Sequence, residues 1–112
     1  MPPRDPLYLA DITEAAGHVQ DFLQDLDQHG FLASELVRSA VLQKLSVIGE
    51  AANRLTPELK AAHPEVPWRS IIGLRNIAVH AYFSIKWETI WETATQDVPA
   101  LALQISSIQA QG

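Results

Sequence analysis

The sequence predicts an all-α fold, an up-and-down bundle of four to five helices filling one domain over residues 1–112. Three observations carry this. Apolar residues recur at steps of three and four along most of the chain. Capping residues, proline and glycine interrupt the pattern at intervals that suit helices with short connections. No segment shows the strict alternation of a half-buried strand, and the chain holds no repeat, long linker or low-complexity run. At 112 residues, 47% hydrophobic and 19% charged, it is globular and long enough for one sizeable core.

The elements follow in order. Leu9, Ile12, Ala16, Val19, Phe22/Leu23 and Leu26 form the stripe of a first helix, and Gly30 is expected to end that unit. Ser34 is placed to cap a second helix with the stripe Val37, Val41, Leu45, Ile48, Ala52 and Leu55. Gly49, Ala51 and Ala52 are small, so another helix can approach there. Thr56-Pro57-Glu58 reads as a cap, a proline at the first helical position and an early acid, opening a short helix that stops before Pro64. Pro67 opens the next helix through Trp68, Ile71 and Ile72, with Tyr82-Phe83 at its frayed end or in the turn beyond. Ser84 is expected to cap the following helix, whose stripe is Trp87, Ile90, Trp91 and Ala94. Pro99 should kink or break it before Leu101, Ile105 and Ile108.

Charge and composition narrow the chemistry. The net charge is -5, and residues 1–30 carry six acids against Arg4 alone, while the remaining acids and bases cancel. Such a chain does not attract RNA avidly at long range, though a local cationic site is compatible with the balanced part. The absence of cysteine excludes disulfides, thiolate metal sites and a cysteine nucleophile, and suits a reducing cytoplasm. Met1-Pro2-Pro3-Arg4-Asp5 is followed by no signal-like apolar run, and no stretch approaches the roughly 20 apolar residues that span a bilayer.

The segment Arg75-Asn76-Ile77-Ala78-Val79-His80-Ala81-Tyr82 gathers an arginine, an amide, a histidine and a tyrosine in apolar surroundings. Arginine's planar fork matches phosphate oxygens, and histidine exchanges protons near neutral pH. Together they can cleave RNA without a metal: a 2′-hydroxyl attacks the adjacent phosphorus, His80 acts as acid or base, and Arg75 neutralises charge on the phosphoryl oxygens. On a straight helix Asn76 and His80 share a face, where Asn76 can hold the imidazole, whereas Arg75 and His80 lie about 140° apart. A long side chain reaching round, an unwound helix or a second protomer would each close that gap. Other readings stand beside this one. Arg75 is also compatible with a surface ion pair, and His80 with a helix C-terminal cap. Glu50 is either a solvated edge residue or a buried acid paired with Arg75. Trp68, Trp87 and Trp91 fit core positions better than base-stacking platforms. His18, His29 and His63 sit in no ligand pattern, so neither metal nor cofactor is expected.

Val47-Ile48-Gly49-Glu50-Ala51-Ala52, Val66-Pro67-Trp68, Gly73-Leu74-Arg75-Asn76 and His80-Ala81-Tyr82-Phe83, with Trp91 and Asp97-Val98-Pro99 after them, resemble the HepT-like proteins of the HEPN superfamily in order and spacing. Position 81, often acidic in that family, is alanine here. The resemblance implies a HEPN-like helical bundle that forms a homodimer around a shared cleft. It implies a metal-independent RNase toxin with Arg75 and His80 as its catalytic pair and Asn76 as the polar residue beside them. It further implies that Tyr82 receives AMP from a cognate nucleotidyltransferase antitoxin of the MntA type. The competing expectation is a non-catalytic HEPN module that binds a nucleotide or a nucleotidyltransferase.

Overall fold

The computed structural model describes residues 4–77 and 82–111, except for the side chain of Tyr82. Their architecture is the expected all-α bundle. Its α-helices are α1 (Asp5–Leu23), α2 (Gln28–Ala33), α3 (Glu35–Arg54), α4 (Pro57–Ala62), α5 (Trp68–Gly73), α6 (Trp87–Glu92) and α7 (Val98–Gln111). 3₁₀ turns occupy Leu74–Asn76 and Tyr82–Ser84, and a π-helical stretch, Thr93–Asp97, joins α6 to α7.

The long helices build the core. α1 packs along α3 and α7, and Leu9, Ile12, Val19, Val41, Leu45, Ile48 and Ile105 are all but sealed from solvent. Asp5, at the start of α1, is 1% exposed, and its carboxylate accepts from the Thr56 backbone N–H at 3.1 Å and the Thr56 hydroxyl at 2.7 Å. Because Thr56 follows the end of α3, this junction makes α1 and α3 antiparallel. Thr56 also accepts from the Leu59 N–H, so one residue caps α4 and satisfies a buried acid. Ser34 caps α3 as anticipated, accepting from the Val37 N–H.

Three boundaries differ from the expectations. The first helix ends at Leu23, and Gly30 lies inside α2. Asp25 adopts φ 68°, a left-handed conformation that aspartate tolerates better than most residues, and Asp27 then accepts from the Gly30 N–H to start a new helix. Ser84 belongs to the second 3₁₀ turn, and Lys86 holds the N-cap position of α6 without a side-chain bond. Pro99 neither breaks nor ends the helical path. The chain widens into the π stretch just ahead of it, which relieves the clash between a proline ring and the carbonyl four residues earlier.

The tryptophans serve the core. Trp68 is buried and donates Nε1–H to the His63 carbonyl at 3.0 Å. Trp87 and Trp91 pack around the fully buried Phe31, with ring centroids 6.4 and 5.4 Å away. The Arg38 guanidinium covers the Trp87 ring at 5.3 Å, and its Nη1 donates to the Leu32 carbonyl.

Candidate active site

Gly49 decides where Arg75 sits. A β-carbon at Gly49 would lie 2.5 Å from the Arg75 backbone nitrogen, 2.9 Å from the Ile71 carbonyl oxygen and 3.1 Å from the Arg75 Cβ. The chain from α5 into the first 3₁₀ turn therefore crosses α3 with backbone touching backbone, an approach only glycine permits. The crossing places Arg75 beside the next residue of α3, Glu50.

Around Glu50 a small charged network forms. Arg75 Nη1 stands 3.6 Å from Glu50 Oε2. Arg54, one turn further along α3, donates Nε–H to Glu50 Oε1 at 3.0 Å. Tyr8 of α1 first, and then Glu50, raise the Arg54 guanidinium above its ordinary pKa. Of the two readings left open for Glu50, the solvated edge holds, since the carboxylate is 45% exposed; the pairing with Arg75 is present, but the acid is not buried. The Arg75 side chain is 36% exposed, while its Nε is buried and meets no hydrogen-bond partner among the described residues. The α3 crossing fixes the Arg75 backbone and Cβ beside Gly49.

The local backbone also departs from a straight helix. Leu74–Asn76 wind as a 3₁₀ turn, so the angle reckoned from an ideal α-helix does not apply through Arg75. Asn76 is exposed at the end of that turn. His80 and the side chain of Tyr82 lie outside the described residues, so the structure gives no distance from either to Arg75. Sequence reading overlooked Arg54. Its signal was present, since a glutamate four residues before an arginine on one helix face is the favourable order for an ion pair. Among the described residues, no three His, Asp or Glu side chains gather closely enough to hold a metal ion. None of the helices described is long and apolar enough to cross a membrane.

Fold and site together define an all-α domain that presents a guanidinium beside a carboxylate at the head of an arginine–histidine segment. The family model for ribonuclease HepT-like proteins matches residues 12–108. A Methanocaldococcus jannaschii protein named "Putative RNase" is 35% identical over 101 residues, covering 90% of this chain and 93% of the relative. A Thermococcus cleftensis protein named "Probable ribonuclease HepT" is 35% identical over 94 residues, covering 84% of this chain and 86% of the relative. A Caldanaerobacter subterraneus protein named "Putative RNase" is 30% identical over 101 residues, covering 90% of each chain. No solved structure gave a significant match. The chain belongs to the HepT-like ribonuclease family of the HEPN superfamily.

Proposed function

We propose that this chain is a metal-independent endoribonuclease toxin, active in the cytoplasm as a homodimer and paired with a nucleotidyltransferase antitoxin. The observation that carries the reading is the delivery of Arg75 to the surface by the Gly49 crossing, at the head of the segment that holds His80. Membership of a ribonuclease family supports it.

In this mechanism the 2′-hydroxyl loses its proton to a base and attacks the adjacent phosphorus. The bond to the 5′-oxygen breaks, that oxygen takes up a proton, and a 2′,3′-cyclic phosphate remains. His80 serves as acid or base because its reference pKa of about 6.5 lies near working pH. Arg75 meets the charge that grows on the phosphoryl oxygens, where its fork offers paired donors. Asn76 orients His80, and Glu50 holds Arg75 in place before substrate arrives. DNA has no 2′-hydroxyl, so the reaction selects RNA. Tyr82 follows the segment closely, and AMP attached there would bring bulk and negative charge into competition with an RNA phosphate.

Cleavage of a labelled RNA oligonucleotide by purified protein in EDTA tests this. Arg75→Ala and His80→Ala should each abolish cleavage while circular dichroism stays helical, and a DNA oligonucleotide should remain intact. Full activity in either variant, or strict dependence on a divalent ion, refutes the assignment.

A further inference from the structure

One carboxylate, Glu50, is divided between two guanidiniums from different elements, Arg54 Nε at 3.0 Å on Oε1 and Arg75 Nη1 at 3.6 Å on Oε2. The charges matter more than the contacts. Glu50 and Arg75 alone cancel, and a neutral pair offers little to a phosphate approaching a chain of net charge -5. With Arg54 included, the three groups carry a net +1.

Exposure points the same way. The side chains of Arg54, Glu50 and Arg75 are 57%, 45% and 36% exposed, so solvent screens their ion pairs and a stronger ligand can replace one of them. An RNA phosphate, accepting charge-assisted bonds from the Arg75 fork, is such a ligand. Glu50 then needs another cation. Arg54 already holds it at the shorter distance.

We propose that Arg54 is a positioning residue of the RNA site, the counter-cation of Glu50 that leaves Arg75 free to engage a phosphate. The inference rests on the ribonuclease reading above and adds a residue to it. It differs from a structural role for Arg54 in one respect: removing the Glu50 charge must make Arg54 dispensable.

The test is binding of a 2′-O-methyl RNA oligonucleotide, which 2′-hydroxyl attack cannot cleave, measured by fluorescence anisotropy. Cleavage of the unmodified oligonucleotide is followed in parallel. Arg54→Ala should weaken binding about fivefold, in keeping with an exposed pair. Arg54→Lys should retain most of the affinity. The double variant Arg54→Ala/Glu50→Gln should bind within about twofold of Glu50→Gln alone. Wild-type affinity in Arg54→Ala, a double variant as weak as Arg54→Ala, or a wild type that binds no RNA overturns the proposal. A wild type that binds the modified RNA but fails to cleave the unmodified one refutes the ribonuclease reading, and the variant series still decides the role of Arg54.

Discussion

At the scale of single residues, Gly49 and Arg75 are one unit. The space at Gly49 is bounded by backbone atoms of Ile71 and Arg75, which cannot rotate away as a flexible side chain would. Gly49→Ala should therefore push the 3₁₀ turn off α3. Overpacking of this kind costs about 1–3 kcal/mol. Urea denaturation should report that loss, and RNA cleavage should fall more than stability does because Arg75 moves with the turn. Wild-type cleavage and an unchanged midpoint in Gly49→Ala would show that the crossing does not position the arginine. Thr56 is a second residue whose two contacts act together. Thr56→Ala removes the α4 cap and one of the two donors to the buried Asp5 carboxylate.

Among the elements, the two caps allow a ranked prediction. Ser34 and Thr56 each accept a backbone N–H at the start of a helix. Ser34→Ala removes only a cap and should cost about 1 kcal/mol. Thr56→Ala adds a weakened buried acid and should cost about 2–3 kcal/mol. Denaturation midpoints of the two variants check the order, and equal losses would mean that the Asp5 contact adds nothing. Between α6 and α7 the helical path continues through Pro99, with the π-helical stretch Thr93–Asp97 just ahead of it.

For the molecule as a whole, the expected assembly is a homodimer. An open apolar groove of about 320 Å³ runs between α5 and the π stretch with α7, lined by Ile71, Leu74, Val98 and Leu101. Light scattering at micromolar concentration should give about twice the 12.4 kDa chain mass, and a protein that stays monomeric on concentration would end this expectation. Regulation belongs to the same scale, because it needs a second protein. Incubation with a cognate nucleotidyltransferase and ATP should add adenylyl mass to the Tyr82 peptide and stop RNA cleavage. Neutralisation with Tyr82 unmodified would point instead to inhibition by binding.

The sequence by itself determined the all-α class, the stripe of α3 and the caps at Ser34 and Thr56. Each of these signals is complete within a few neighbouring residues, since periodicity and capping are local physics. Tertiary structure decided the rest. It joined Asp5 to Thr56 across 51 positions, an encounter that only folding creates. The break of the first stripe at Asp25 is local by contrast, a left-handed residue and the Asp27 cap outweighing the continuing apolar period. The presence of a small residue at position 49 was legible. That it receives the backbone of Arg75, and that Arg54 then shares Glu50 with that arginine, follows from the way α3, α5 and the 3₁₀ turn cross, because close contact between distant segments depends on how whole helices pack.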